Sequence, residues 1–215
     1  MNNGKIVVAL DLHAVAFDFS YEKLLSGLYA FFKKEPLYNL SLLNPVFGYR
    51  LWHELRNSSM TAENIYTVLE KKYYPGLAGS KNEFFDICNA YDINPEMEAL
   101  VAELKGKGYH VAVCSNIGKD AFKEFCRLHT TFFGYCDVLV TSEPEDNYIR
   151  KPALPFFEKF KERCAQQLGD GLVFFFADDK IKNIKAAQKA GINSCLFKKP
   201  AQFREYLKQQ GLELE

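Results

Sequence analysis

The chain has 215 residues, with 27 Lys plus Arg against 27 Asp plus Glu, 48% hydrophobic and 25% charged, the balance of a folded globular protein. A formal charge of zero removes any bulk attraction to nucleic acid or an anionic membrane, so neither is expected as a partner. The longest apolar run, Leu172 to Ala177, is far shorter than the roughly 20 residues of a spanning helix. Asp11 and His13 interrupt the N-terminal run before it could act as a signal core, and six cysteines without CxxC spacing fit reduced thiols, so a cytoplasmic setting is expected.

The run Ile6–Leu10 reads as a buried strand ending in Asp11. From about 20 to 90 the pattern is helical. Leu24, Leu25, Leu28, Phe31 and Phe32 recur at helical spacing, then Phe47, Leu51, Trp52 and Leu55, then Ile65, Val68 and Leu69, with Pro36, Pro45, Pro75 and Pro95 at connections. A structureless connection of that length has no place in a compact domain. The expectation is an all-helical module at 20–90, inserted after the first strand into a core formed by 1–19 and 91–215. Within it, Tyr49, Arg50, Trp52 and His53 read as either a substrate-selecting surface or ordinary packing.

Beyond residue 95 helices and strands alternate. Helices are expected near 95–107, 119–129, 153–168, 180–190 and 201–210, and strands at Val111–Cys114, Val138–Val140, Leu172–Ala177 and Ser194–Phe197. Gly108 and Gly191 stand just past two of the helices, where a left-handed cap is needed. The pattern specifies an α/β fold, a doubly wound, Rossmann-like parallel sheet with the helical cap inserted after its first strand.

In such sheets ligands bind beyond the carboxyl ends of the strands, at the switch point of strand order. The first strand ends in Asp11, the second in Ser115-Asn116 and the fourth in Asp178-Asp179, while Lys151-Pro152 opens the helix after the third. Three carboxylates at one edge repel each other unless a cation compensates, which calls for a hard divalent ion, Mg²⁺ with oxygen ligands, beside the Lys151 ammonium. Ser115, Asn116 and Lys151 then offer a hydroxyl, an amide and a cation to phosphoryl oxygens, with Asp11 as the attacker.

These residues resemble, in order, the motifs of the haloacid dehalogenase superfamily, most of whose members are Mg²⁺-dependent phosphatases that work through a phosphoaspartate. Val-Val-Ala-Leu-Asp11-Leu12-His13-Ala14-Val15 is similar to the first motif, Val-Ala-Val-Cys-Ser115-Asn116 to the second and Arg150-Lys151-Pro152 to the third. The stretch from Phe175 through Asp178-Asp179 and Asn183 to Ala186-Ala187 is similar to the fourth and is the most specific. The resemblance covers 5–19 and 95–200, and 20–90 resembles the helical cap of many members.

The resemblance implies that Asp11 is nucleophile and metal ligand, joined at the metal by the backbone carbonyl of His13 and by Asp178, with Asp179 either a further ligand or the holder of metal-bound water and Lys151. It implies phosphate binding by Ser115, Lys151 and the backbone amides of Leu12 and His13. Two positions depart from the family. His13 replaces the acid that protonates the leaving group, and Ala14 stands where Gly is common. His13 is then a catalytic imidazolium favoured by the nearby carboxylates, or turnover is slow without an acid, or hydrolysis has been lost. Asp18, seven residues after Asp11, is a second acid or, preferably, a cap for the following helix.

The expected function is therefore Mg²⁺-dependent hydrolysis of a small phosphorylated metabolite. One alternative is a catalytically impaired binding protein whose cap engages a protein partner; a weaker one is a metal-free 2-haloacid dehalogenase, which would have no use for Asp178-Asp179.

Overall fold

The computed structural model describes residues 5–34, 66–68, 70, 71 and 79–215. Its central strand β1 (Ile6–Leu10) is buried along its whole length. Because strand side chains alternate, Ile6, Val8 and Leu10 enter one hydrophobic layer while Val7 and Ala9 enter another. A run with no polar alternation is what a strand covered on both faces requires.

After β1 come a three-residue strand β2 (Phe17–Phe19) and helix α1 (Tyr21–Lys34), then helix α2 (Lys81–Cys88) and a second short strand β3 (Tyr91–Ile93). The remainder follows as α3 (Pro95–Gly106), β4 (His110–Gly118), α4 (Lys119–Leu128), α5 (Thr130–Gly134), β5 (Val138–Ser142), α6 (Leu154–Leu168), β6 (Val173–Asp178), α7 (Ile181–Lys189), β7 (Asn193–Leu196) and α8 (Pro200–Gln209). The main sheet has the order β5-β4-β1-β6-β7, and every pair is parallel.

Met97, Leu100, Val101 and Leu104 of α3, with Phe125, Phe132, Phe203 and Leu207, cover one face; Phe156, Phe157, Phe160 and Cys164 of α6, with Ile184 and Ala187, cover the other. The sheet is therefore doubly wound, with β1 at its centre and the carboxyl ends of β1, β4 and β6 side by side. Gly108 and Gly191 adopt φ of +78° and +77°, the left-handed turns that stop α3 and α7 before the next strands. The six cysteines are free. Among the described residues no helix is long and apolar enough to cross a membrane.

The pair β2–β3 is not evident in the sequence. These strands are antiparallel, with Phe17 opposite Ile93 and Phe19 opposite Tyr91, and Ser20 N–H donates to the Ala90 carbonyl at 2.8 Å. They form a neck through which the chain leaves and re-enters the sheet domain. Asn94 fastens the neck to α3: its Oδ1 accepts from Glu96 N and Met97 N at 3.0 and 3.2 Å, and its Nδ2 donates to Asp18 Oδ2 at 2.7 Å. Asp18 is thus a neck residue; Ser20, whose Oγ accepts from Lys23 N at 3.4 Å, stands at the start of α1, and the expectation that Asp18 caps that helix is corrected. Beyond the neck, Gly27 of α1 lies against Ile87 of α2, where an added Cβ would meet Ile87 Cγ1 at 3.1 Å. The segments around Phe47, Tyr49, Arg50, Leu51, Trp52, His53 and Leu55, and Ile65, Leu69, Pro36, Pro45 and Pro75, lie outside the described residues.

Candidate active site

Asp11 follows β1 directly and is buried, its backbone N–H still bonded to Ala177 O of β6 at 3.0 Å. The chain then turns tightly. The Leu12 carbonyl accepts from Val15, Ala16 and Phe17 N–H, and Ala14 N–H donates to Phe17 O at 2.8 Å. The turn requires Ala14 at φ +60°, a conformation natural to glycine, so the position where the resemblance expects Gly is one where the backbone wants it. Leu12 N–H donates to Asp11 Oδ1 at 2.8 Å, and the Ser115 hydroxyl donates to the same carboxylate.

Ser115 and Asn116 sit where the β4–β5 ladder shifts register, between Cys114 and Gly118, so β4 carries them past the regular sheet edge. The Ser115 side chain stays at Asp11. Asn116 turns elsewhere, its Oδ1 accepting from Lys151 N–H at 2.7 Å and its Nδ2 donating to the Lys151 carbonyl at 2.9 Å. The side-chain amide expected at a phosphate is committed to the main chain of Lys151, which corrects that part of the sequence reading.

Lys151 arrives on the loop after β5. That loop is tied back to α6 by Lys159, which bonds Thr141 O, Glu143 and Asp146, and by Arg163 on Glu143 at 2.6 Å. The Lys151 ammonium is buried over the Phe176 ring, 2.6 Å from Asp178 Oδ2 and 3.1 Å from Asp11 Oδ1. Asp178, the last residue of β6, accepts also from Lys180 N at 2.8 Å and from Asn183 Nδ2 at 2.9 and 3.0 Å. In the sequence Asn183 stands out only as part of a motif; its place on α7, one turn past the acidic pair, gives it the role of orienting Asp178.

Asp11, Asp178 and Asp179 each offer a carboxylate oxygen within 4.8 Å of the others. The Oδ1 atom of Asp179 is buried and accepts no hydrogen bond, the Lys180 ammonium standing 3.4 Å away. Residues 46–191, two thirds of the chain and including Ser115, Lys151 and the acidic pair, match the family described as haloacid dehalogenase-like hydrolase.

The chain belongs to the haloacid dehalogenase-like hydrolases.

A sesquiterpene phosphatase of Aspergillus oryzae is 26% identical over 156 residues, covering 72% of this chain and 76% of that protein. Among solved structures, the HAD-hydrolase YfnB of Bacillus subtilis, bound to magnesium, superposes with a TM-score of 0.61 at 16% identity, over 89% of this chain and 87% of that one. A HAD family enzyme of Bacteroides thetaiotaomicron, in complex with magnesium and inorganic phosphate, gives 0.57 at 20% identity, over 89% and 93%. At these identities the structures establish the shared fold.

The charges at this haloacid dehalogenase-like site are unequal. For Asp11, burial works to raise the carboxyl pKa, but Lys151, His13 and the Ser115 hydroxyl outweigh it and hold it below the usual range. Burial pushes Asp178 above that range against the pull of Lys151, and the charge of Asp11 adds to the rise. Lys151 stays protonated, since Asp11, Cys114 and Asp178 overcome the opposing effect of burial. Three carboxylates face two ammonium groups, Lys151 between Asp11 and Asp178 and Lys180 beside Asp179, and the site keeps a net negative charge. Together with the unbonded Asp179 oxygen, this donor set fits a hard divalent cation.

His13 lies in the turn with its ring against Tyr91, centroids 4.2 Å apart, and its Nε2 is buried without a hydrogen-bond partner. Burial outweighs the upward pull of Asp11 and lowers its pKa below the ordinary 6.5. The expectation that neighbouring carboxylates favour the imidazolium is thereby corrected: desolvation is the larger effect. Tyr91 carries no motif and gives no signal in the sequence; its pairing in the neck is what brings it to the site.

Proposed function

We propose that the protein is a phosphomonoesterase in which Asp11 is the nucleophile. The observation that carries this reading is the Lys151 ammonium buried between Asp11 and Asp178, a fixed positive charge beside an ionised carboxylate at the switch point of the sheet. The phosphatase among its relatives supports the same reaction class. Asp11, Asp178 and Asp179, with the backbone carbonyl of His13, would hold Mg²⁺. When bound, the cation neutralises charge developing on the phosphoryl oxygens.

A carboxylate oxygen of Asp11 attacks phosphorus, and the bond to the leaving oxygen breaks as an acyl phosphate forms on Asp11. Ser115, Lys151 and the amides of Leu12 and His13 hold the phosphoryl oxygens, so the Ser115 and Leu12 donors that now serve Asp11 turn to the substrate. Water then attacks phosphorus, releases phosphate and restores the carboxylate. His13, whose buried Nε2 has no protein partner, is the side chain of the turn assigned to hand a proton to the leaving oxygen, for which it must first take up the proton that burial disfavours. The same reading divides the chain into a core of 1–19 with 91–215 and a cap at 20–90, most of which lies outside the described residues.

Hydrolysis of p-nitrophenyl phosphate tests the reading. The natural protein should turn it over with Mg²⁺, and activity should vanish without metal and in Asp11→Asn. For alkyl phosphates, whose leaving group needs a proton, His13→Ala should cost about 10²–10⁴-fold, and less for the aryl ester. Activity found only in His13→Asp would make the natural protein a binding protein. Consumption of a 2-haloacid without metal would replace the phosphatase by a dehalogenase.

A further inference from the structure

The neck presents an unusual surface. In β2 the side chains of Phe17 and Phe19 share a face. Phe17 is fully buried against Phe125 and Phe132, whereas Phe19, two residues further out, is 46% exposed. Opposite Phe19 stands Tyr91, whose ring lies 5.5 Å from Phe19 on one side and 4.2 Å from His13 on the other. Tyr91 also feels the charges of Asp11 and Asp179. On the outer side Phe19 meets Tyr21 at 5.0 Å, and Tyr21, Leu25 and Tyr29, one helical turn apart, continue the surface along α1 at 75%, 65% and 70% exposure.

A row of rings therefore runs without interruption from the turn that holds the nucleophile to solvent: His13, Tyr91, Phe19, Tyr21. Folding alone gives no reason for it. An aromatic side chain left half in water forfeits much of its burial free energy, and an edge ribbon is ordinarily finished with polar or charged residues. The main chain of this row is also fixed, for the Lys23 ammonium donates to the Tyr91 carbonyl at 2.7 Å and pairs with Asp92 at 2.8 Å.

We infer that the neck is the subsite for the organic part of the substrate, with Phe19 and Tyr91 as specificity-determining side chains that favour phosphate esters of hydrophobic alcohols over those of sugars or other polyols. The inference rests on the phosphatase reading and adds a substrate class to it. His13, assigned above to the leaving oxygen, is the first ring of the row, so an organic group beyond that oxygen would meet Tyr91 and Phe19 next. A hydrocarbon chain or ring system loses water against Tyr91 and Phe19, while a polyol would leave hydroxyls facing carbon.

Two measurements separate this inference from the reading it rests on. Ethylphosphonate and octylphosphonate, which bind without turnover, are titrated calorimetrically with Mg²⁺ present. Octylphosphonate should bind at least about tenfold more tightly, since six further methylenes meet the wall. Phe19→Ala should reduce the ratio to about threefold or less, while Phe19→Leu, which keeps apolar bulk, should retain most of it. A ratio near one in the natural protein, no binding of octylphosphonate, or a ratio unchanged in Phe19→Ala would overturn the inference. In parallel, kcat/KM for octyl phosphate should exceed those for ethyl phosphate and glycerol phosphate. A protein that binds octylphosphonate selectively but hydrolyses no ester, p-nitrophenyl phosphate included, would retain the subsite and lose the phosphatase reading.

Discussion

Asn116 grips Lys151 by its backbone, accepting from the Lys151 amide at 2.7 Å and donating to the Lys151 carbonyl at 2.9 Å. The cation shared by Asp11 and Asp178 is thus aimed by a residue on another strand that touches neither carboxylate. Asn116→Ala should lower kcat about 10–100-fold with a smaller change in KM, because Lys151 remains but loses its alignment. Stability should fall by about 1–3 kcal/mol in urea unfolding, the range for losing a buried hydrogen-bonded partner.

Removing the ammonium itself is more severe. Lys151→Met leaves Asp11 and Asp178 facing each other with no fixed cation. Such a change in a buried pair costs about 3–5 kcal/mol, and hydrolysis should fall below detection. Thermal unfolding and the p-nitrophenyl phosphate assay read the two effects.

Cation binding should register in the stability of the whole protein. At Mg²⁺ a hundredfold above its dissociation constant, linkage contributes about 2.7 kcal/mol. For a chain of this size that is a Tm rise of about 5–10 °C. In Asp179→Asn the rise should shrink, since the variant removes the carboxylate whose Oδ1 accepts no bond within the protein. An equal rise in both proteins would place the cation elsewhere.

At the turn after β1, Ala14 holds φ +60°. Left-handed backbone costs an alanine roughly 1–2 kcal/mol, partly offset for glycine by its greater loss of freedom on folding. Ala14→Gly should therefore stabilise by about 0.5–1 kcal/mol, and Ala14→Val should destabilise by more than about 1 kcal/mol. Denaturant midpoints compared at a common slope decide this.

Away from the site, Asp137 accepts Lys105 Nζ at 2.6 and 2.7 Å and Val111 N–H at 2.9 Å. Burial works to raise its carboxyl pKa, but these partners prevail and hold it below the ordinary 3.8. A depressed carboxyl pKa stabilises fully above the unfolded value and loses that contribution as pH falls through the folded one. The advantage of the natural protein over Asp137→Asn, about 1–3 kcal/mol near neutral pH, should hold down to about pH 5 and fade below pH 4.

Much of this fold is legible because local chemistry and tertiary role agree. The unbroken run of β1 announces a strand buried on both faces, and Gly108 and Gly191 mark helix ends by their left-handed φ. The acidic pair at the end of β6 and Lys151 before α6 are readable for the same reason. The neck is not, since Phe-Asp-Phe and Tyr-Asp-Ile are too short to carry a period and become strands only by pairing with each other. Asn116 can be placed but not assigned its partner, because the Lys151 backbone comes from 35 residues away. The charge state of His13 is hidden too, since the sequence shows which charges are near but not how little water remains.

The neck also makes everything beyond it separable. With Phe19 opposite Tyr91 and Ser20 bonded to Ala90, the two crossings of the chain already stand as far apart as the arms of a hairpin. A two-residue Asn-Gly link between Ser20 and Ala90 could replace the entire stretch from Tyr21 to Asn89 without asking any strand of the sheet to move. The ribbon holds the two ends of that excursion together, and lengthening it adds only slowly to the entropy of closure. Insertions of other sizes and shapes can hang from the same two strands while Asp11, Lys151 and the acidic pair keep their places at the sheet edge.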